Sequence, residues 1–395
     1  MRGRIRTKIT EVNNLTDFAT LKDAWNDLLQ RSSHTVFSTW EWLFTWWKHF
    51  GKNRRLLILL AVEDNKLIGA APLMYSVHSM LGLRQGKIEF IGTGRITNAA
   101  FIIEDPAGIN GNDYTVSYAN FIIEEGHENC MRLFFDYLQN LQEKWTCAEL
   151  RFIPENQLAL SHLSQISNNI TPANKCLHIL LPSSNEAFLR NLKRKDRKEM
   201  RRYLRRIEEY GFKTELVDCS ENHLMSRGMN ELFEINQERW SAKGLSGAFA
   251  NPRLRSFYLD IADSFSQNRW LGLYCLKLSG KTVAALYGFK YNGTYIAYKT
   301  GMDPAYSRFS VGNLLFLNVI ERCIQEGLLD FDFMWGTAYK RQFITYETSD
   351  CKAIFPKERL FGAFKQLLYS TYWHQGERLK DFHANQSGRR AFQRV

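Results

Sequence analysis

Thr294-Tyr-Ile-Ala-Tyr-Lys-Thr300 leads through Gly301-Met-Asp-Pro304 and Arg308-Phe-Ser-Val-Gly-Asn313 into Leu314-Leu-Phe-Leu-Asn-Val-Ile-Glu-Arg-Cys-Ile324, then Leu328-Leu-Asp-Phe-Asp-Phe-Met-Trp335. The first segment is dense in β-branched and aromatic residues and reads as a strand. Gly301 to Pro304 stops it. Apolar residues at helical spacing predict a helix from Leu314 to Ile324, ended by Gly327. Leu328 to Trp335 reads as the next strand, Gly336 breaks it, and Ala338-Tyr-Lys-Arg-Gln-Phe343 follows as a short helix.

A glycine at the mouth of a helix, straight after a strand, has a physical use. The first helical turn carries free N–H groups and a partial positive charge, so it can hold a phosphate. Gly312 has no side chain to keep a ligand away. A plain turn glycine fits the same pattern.

Arg308-Phe-Ser-Val-Gly-Asn313 resembles a loosened pyrophosphate loop of the GNAT acyltransferases, Gln/Arg-x-x-Gly-x-Gly/Ala, with its glycines offset or replaced. Gly301-Met-Asp-Pro304, Ser310-Val-Gly312, Phe331-Asp-Phe333, Gly336 and Tyr339-Lys340-x-x-Phe343 follow in the order of the CelD-type (cellulose-biosynthesis) acetyltransferase domain, a GNAT relative also similar to the FemAB peptidyltransferases. The resemblance spans most of residues 36 to 350. It implies an α+β fold of tandem GNAT-like domains, each a mixed, mostly antiparallel sheet flanked by helices. We expect two separate sheets meeting in one cleft.

At 395 residues, two domains are the natural expectation. The boundary falls near Pro182, giving 1–181 and 182–395. The hydrophobic share of 45% and charged share of 24% suit a soluble globular chain. No apolar run reaches the ~18 residues of a membrane span. Met1-Arg-Gly-Arg-Ile-Arg-Thr-Lys8 is basic without an apolar core, so it is not a secretory signal. Seven scattered cysteines and nine unpaired histidines argue against disulfides and a metal site, and for a cytoplasmic location. The net charge of +11 points to an anionic partner.

Along the chain, Ile9 to Asn14 reads as a strand and Leu15 to Arg31 as an amphipathic helix. Phe37 to Lys48 is a helix with four tryptophans, capped by Ser38 or Thr39. Its rings read as core, with an acceptor-site wall as the alternative. Leu56 to Glu63 and Lys66 to Ser76 form a hairpin about Asp64-Asn65. Leu271 to Leu278 and Lys281 to Tyr291 repeat that layout, with Lys66 matching Lys281. This echo fits a tandem pair of similar domains. Lys87 to Gly94, Ala148 to Ile153 and Lys175 to Leu181 read as strands, and Cys130 to Trp145 as a helix. The family's Asp-Tyr is matched by Asp113-Tyr114 only after an extra stretch.

Ser183-Ser-Asn-Glu186 starts a helix expected to run unbroken to Gly211. Between Lys193 and Arg206 it holds nine basic and two acidic residues. A solvated face and an anion-binding face are both open readings. Arg197 and Arg201 are the candidate contacts. Helices are expected from His223 to Gly244, which carries Gln237-Glu-Arg-Trp240, from Pro252 to Phe265, and from Leu360 to Phe382 before a loose basic tail.

Acyl transfer to an amine needs a bound acyl donor, a deprotonated amine, a donor for the oxyanion and an acid for the thiolate. By resemblance, Tyr298 to Met302 and Phe331 to Trp335 line the two sides of the cofactor gap. The cofactor set is Tyr298, Met302, Arg308, Ser310, Val311, Gly312 and Asn313, holding acetyl-CoA or another acyl-CoA, with no metal. Asp332 is the candidate base, Tyr339 the acid for the thiolate, and Lys340 a holder of an anionic acceptor or of phosphates. Arg197, Arg201 and Trp240 are expected at the acceptor. The leading expectation is an N-acyltransferase acting on an amino sugar or other surface-polysaccharide precursor. A FemAB-like transferase using aminoacyl-tRNA is the alternative, although FemAB's coiled-coil arm is missing. A non-catalytic module binding nucleic acid or an anionic membrane surface through residues 186–210 is the third.

Overall fold

The echo between Lys66 and Lys281 is one part of a repeat that runs through the chain. In a computed structural model the described residues are 7–80, 83–93, 116, 118–142, 145–155, 163–164, 169–242, 244, 247–335 and 338–357, with only the backbone described at 78–80, 83–85 and 338–339. The first half supplies β1 (Lys8–Val12), β2 (Arg55–Glu63), β3 (Lys66–Met80), β4 (Leu83–Phe90) and β6 (Trp145–Pro154), with the two-residue β5 (Ile122–Ile123) beside β3. The second half supplies β8 (Thr214–Asp218), β9 (Leu271–Leu278), β10 (Lys281–Tyr291), β11 (Thr294–Met302) and β12 (Asp330–Trp335). In each half the first four strands are antiparallel and the last pair, β4 with β6 and β11 with β12, is parallel. The two hairpin turns match: Asp64 and Asn65 have φ of 48° and 61°, Ser279 and Gly280 48° and 88°. Positive φ at both central residues is what a right-twisted two-residue hairpin requires.

The tandem, mostly antiparallel architecture is therefore present, but the expectation of two separate sheets is corrected. β7 (Ile170–Leu180) and β13 (Tyr346–Pro356) pair antiparallel at the centre, and each also pairs with the other half: β7 with β12, β13 with β6. The result is one sheet of 13 strands whose main order is β1-β2-β3-β4-β6-β13-β7-β12-β11-β10-β9-β8. Read from either end, the sequence of roles is the same. Each half gives its closing strand to the other, which leaves no unpaired edge at the centre. β13 was not legible because its first residues, Tyr346-Glu-Thr-Ser, are polar. Only Cys351, Ala353 and Phe355 carry the buried period of two.

Helices cover the sheet. α1 (Leu15–Thr20), α2 (Lys22–Gln30) and α3 (Trp40–Phe50) precede β2, and α4 (Cys130–Gln139) precedes β6. The expected helix over 15–31 is thus two, meeting at Leu21, whose N–H bonds to the Phe18 carbonyl. The tryptophan helix starts at Trp40 with Thr39 as its cap, after a 3₁₀ turn at Val36–Ser38. Trp42 and Trp46 are fully buried, so their rings are core. α5 (Asn185–Asn191) and α6 (Arg194–Glu209) replace the single basic helix expected over 186–211. The backbone is extended at Leu192 and Lys193, and Asp196 supplies the acidic residue of a new first turn. α7 (Asn222–Ser241), α8 (Pro252–Gln267) and α9 (Val311–Gln325) complete the second half.

Two hydrophobic clusters follow. One joins the first half to α7, α8 and the face of β9–β11 beneath them; the other packs α6 and α9 on the opposite face. The halves meet through aromatic rings: Trp42 lies 5.4 Å from Phe257, and Phe37 5.9 Å from Tyr298, centroid to centroid. Asp113-Tyr114, Gly336, and the helix and tail expected beyond Leu360 lie outside the described residues.

Candidate active site

β11 and β12 share three registered pairs, the last being Ile296 with Asp332. β11 continues to Met302 and β12 to Trp335, so beyond that pair a gap opens between them. Two irregularities accompany it. The β10–β11 register shifts between Tyr287 and Gly288, and the β12–β7 register shifts between Asp332 and Trp335. Met334, inside the second shift, has φ 57°. A left-handed non-glycine residue costs of order 1–2 kcal/mol, so strain sits at the mouth of the gap.

Side chains alternate across a sheet, which gives the gap two faces. On one, Met302 packs against α9: a Cβ on Gly312 would lie 2.2 Å from Met302 Sδ. On the other lies α7, where a Cβ on Gly301 would meet Ile235 Cγ1 at 2.6 Å and the Asn236 amide supports the strand through Nδ2 to the Thr300 carbonyl at 2.8 Å. Tyr298 lies on this second face, with its hydroxyl 3.5 Å from that of Tyr258.

Asp332 stands where the gap closes. Its side chain is almost fully buried, and Oδ1 accepts the Met334 N–H at 2.6 Å. Burial lifts its carboxyl above the usual range, against the pull of His178, Tyr118 and the Met334 amide. His178 Nε2 lies 3.8 Å from Asp332 Oδ1 and 3.0 Å from Thr348 Oγ1, and Nδ1 lies 3.0 Å from Asp330 Oδ2. Tyr346 stacks on the imidazole at 4.8 Å and donates its hydroxyl to Asp330 at 3.0 Å. Burial works to lower the His178 pKa, but the bond to Asp330 and the charges of Asp332 and Asp330 raise it overall. From the first half, Tyr118 brings a buried hydroxyl close to Asp332 and Cys176, without a well-formed hydrogen bond.

Two lysines flank the gap. Lys340 donates to the Phe333 carbonyl at 3.0 Å, and Lys299 Nζ sits 4.9 Å from the Tyr298 ring centre. Both keep some solvent-accessible surface, yet desolvation pushes each down to about 8. Groups that touch solvent and are still surrounded by protein line the wall of a cleft. Lys340 also feels Asp332 favourably, and Lys299 and Arg239 unfavourably. Lys340 and Arg341 do not pair with Asp332; Arg341 pairs with Glu347.

The expected phosphate loop is partly as anticipated. Ser310 takes the left-handed conformation (φ 54°) before α9, and its carbonyl accepts the Asn313 and Leu314 amides. The Val311 and Gly312 amides have no partner among the described residues, as a first helical turn leaves them. The Val311 side chain is buried core, and Asn313 Oδ1 accepts from Gln342 at 3.1 Å. Gly312 has a packing reason of its own, the contact with Met302. Arg308 turns away from the gap, stacking 4.9 Å from Tyr210, and its carbonyl is held by Arg206.

The structure thus brings Tyr298, Asp332 and Lys340 to one gap. Trp240 lies at the end of α7, where a Cβ on Gly247 would meet its Cδ1 at 2.7 Å, with Arg239 stacked on it. The Tyr339 side chain is outside the described ones. Arg197 and Arg201 stay on α6; Arg197 donates to the Arg190 carbonyl at 3.0 Å and Arg201 is exposed. A separate cavity of about 320 Å³ opens between the end of β7, α5 and residues 341–347, with Lys193 and Arg341 on its wall. Sequence reasoning missed Lys299, Arg239, His178 and Tyr118. Lys299 carried a signal, a lone charge in an apolar strand; Tyr118 and His178 carried none. Among the described residues no group of His, Cys, Asp and Glu is placed to hold a metal ion, and no helix is long and apolar enough to cross a membrane.

Residues 194–341 match the family described as "Acetyltransferase (GNAT) domain". No curated protein sequence matches the chain. Among solved structures it is similar to FemX, with 11% identity over 93% of this chain and 100% of that one, at a TM-score of 0.58. It is similar to a protein of unknown function from Bacteroides thetaiotaomicron (11% identity, 89% and 99% covered, TM-score 0.53). It is also similar to the C-terminal domain of a putative lysylphosphatidylglycerol synthetase from Agrobacterium fabrum (13%, 89% and 95%, TM-score 0.52). At these identities the likeness is one of fold. The GNAT match over the second half supports acyl transfer, without a substrate.

Proposed function

We propose that the chain is an N-acyltransferase that moves an acyl group, in its simplest form acetyl from acetyl-CoA, onto an amine. The observation that carries this reading is the gap that opens after the Ile296–Asp332 pair inside the segment matching the GNAT domain. The donor's pyrophosphate would lie at the free amides of Val311 and Gly312, with its thioester reaching the gap from the α9 side. The acceptor would enter from the α7 side. Its nitrogen attacks the thioester carbonyl, the C–S bond breaks, and CoA leaves as the thiol.

An ammonium must first lose a proton. Asp332, with a carboxyl raised above the usual range, suits that task, and His178 with Asp330 offers the proton a path onward. Lys340, at the strand end, is positioned to steady negative charge on the carbonyl oxygen. A surface-polysaccharide or other glycan precursor remains the acceptor class we favour, in a cytoplasmic enzyme.

FemAB-like transfer from an aminoacyl-tRNA is the second reading, favoured by the likeness to FemX over nearly the whole chain and by the free cations of α6. The deciding experiment follows free CoA thiol with acetyl-CoA and longer acyl-CoAs against a panel of amines. Thiol release that depends on the amine supports the first reading. No thiol release with any acyl-CoA, combined with transfer from charged tRNA, moves the second ahead.

A further inference from the structure

Two cations border the gap on its α7 side and a third, Lys340, stands at the end of β12, and the carboxylate near them is already engaged. Lys299 extends from β11 and Arg239 from the last turn of α7; neither makes a hydrogen bond or ion pair among the described residues, only ring contacts with Tyr298 and Trp240. Lys340 uses a donor on the Phe333 carbonyl. Asp332 is taken by the Met334 amide, with His178 behind it. Like charges held together and partly desolvated cost stability unless an opposite charge joins them. Beside them, Asn236 is nine-tenths buried; its Nδ2 serves the Thr300 carbonyl, and its Oδ1 is sealed from solvent without a partner. That oxygen can only accept, so it suits an ammonium or hydroxyl of the bound molecule and not its acid; it lies beside Trp240, where a Cβ on Gly247 would meet it at 3.1 Å.

We propose that this corner binds an acidic group, a carboxylate or a phosphate monoester, carried by the acceptor amine. The assignment to the acceptor rests on the acyl-transfer reading. Geometry separates this site from the donor's phosphates. The free amides of Val311 and Gly312 belong to α9, which packs on the Met302 face, whereas Lys299 and Arg239 lie on the face that carries α7. An acceptor with both charges would set its ammonium toward Asp332 and its acid toward Lys299 and Arg239, where a guanidinium can hold two oxygens at once. A neutral amine would enter and leave the cations unpaired, which is how a site rejects it.

The test compares acceptors that differ only in the acid: alanine against alaninamide, and glucosamine 6-phosphate against glucosamine. Calorimetric binding is measured with the whole chain, alone and with acetyl-CoA. We expect the acid of at least one pair to bind roughly ten- to hundredfold tighter than its neutral twin, the range of a charge-assisted bond. In Lys299→Gln and Arg239→Gln the preference should fall to within about twofold, with acetyl-CoA affinity kept. Arg201→Gln, on the distant basic helix, should keep it. Equal binding of the twins, no binding of either, or a preference that survives both gap substitutions overturns the proposal. A preference lost in Arg201→Gln instead moves the anion site to α6 and overturns it too. If no acyl-CoA releases thiol with any amine while the acid preference holds, the acyl-transfer reading fails and the anion site stands.

Discussion

Gly312 and Met302 occupy one small volume between α9 and β11: a Cβ on the glycine would stand 2.2 Å from the methionine Sδ. The glycine lets the helix lie close to the strand that forms one wall of the gap. Gly312→Ala should cost roughly 1–3 kcal/mol, as overpacking does. Adding Met302→Ala should recover part of that loss, giving a favourable coupling of about 1 kcal/mol or more in a double-mutant cycle by urea unfolding. Independent, additive losses would mean that the two residues do not share the space. Donor binding in the double variant then asks whether the glycine also serves a phosphate, free of the packing effect.

Lys299 and Lys340 give the fold a pH signature. Their folded pKa of about 8 lies below the ordinary 10.5. Between those two values the unfolded chain binds more protons, so stability rises with pH through that window. Below about pH 8 both states are protonated and the cost of burying the charge is felt in full. Lys299→Met should therefore stabilise the protein at pH 7 by roughly 1–3 kcal/mol, with the gain shrinking toward pH 10. Thermal melts across pH 7–10 measure it, and a gain that does not change with pH would contradict the desolvated-ammonium account.

His178 behaves in the opposite sense. Its folded pKa is raised above the ordinary 6.5, so its contribution is whole below about pH 6.5 and fades as pH rises through the folded value. Imidazole NMR titration should find it above 6.5 in the wild type and lower in Asp330→Asn, which removes the partner at 3.0 Å. If proton removal passes through His178, the pH–rate profile of Asp330→Asn should shift as well; an unchanged profile would restrict the imidazole to a structural role.

Along α6, Arg194, Lys195, Lys198, Arg201 and Arg205 are exposed, while Arg202 pairs with Glu199 at 2.5 Å and Arg197 with the Arg190 carbonyl. Changing Arg197, Arg201 and Arg205 to Gln should leave acetyl-CoA affinity intact and weaken retention on a polyanion such as heparin. The salt slope of binding should drop by about 2 rather than 3, because Arg197 is already engaged. An unaltered slope would make the helix a solvated face.

Much of the second half was readable from local chemistry. Its strands are apolar runs, its turns carry Ser279-Gly280 and Asn292-Gly293, and its helices keep clean seams. The site was half readable: Asp332, Lys340 and Tyr298 stand in the stretch whose strand–helix–strand pattern is strongest. Lys299 was hidden because a lone lysine in an apolar strand is equally compatible with an exposed strand edge. His178 reaches Asp332 from β7 and Tyr118 from a loop of the first half, and no local period records contacts so far apart in the chain. The central pairing was illegible for the same reason, since an exchange of closing strands leaves each strand's own pattern unchanged.

That exchange also sets a schedule. β6 has no neighbour on its central side until Tyr346 to Pro356 has been made, and β7, which can already pair with β12, lacks its second partner until then. During synthesis the first half thus leaves the ribosome as an incomplete sheet, with an open hydrogen-bonding edge on β6 that β13 closes in the folded chain. Ala353, fully buried and paired with both Leu150 and Ile170, lies on that strand; Ala353→Pro should unfold both halves in a single transition, by ~3 kcal/mol or more. Such a chain can acquire its native shape only after translation has passed residue 356, and until then it depends on whatever shields exposed strands in the cell.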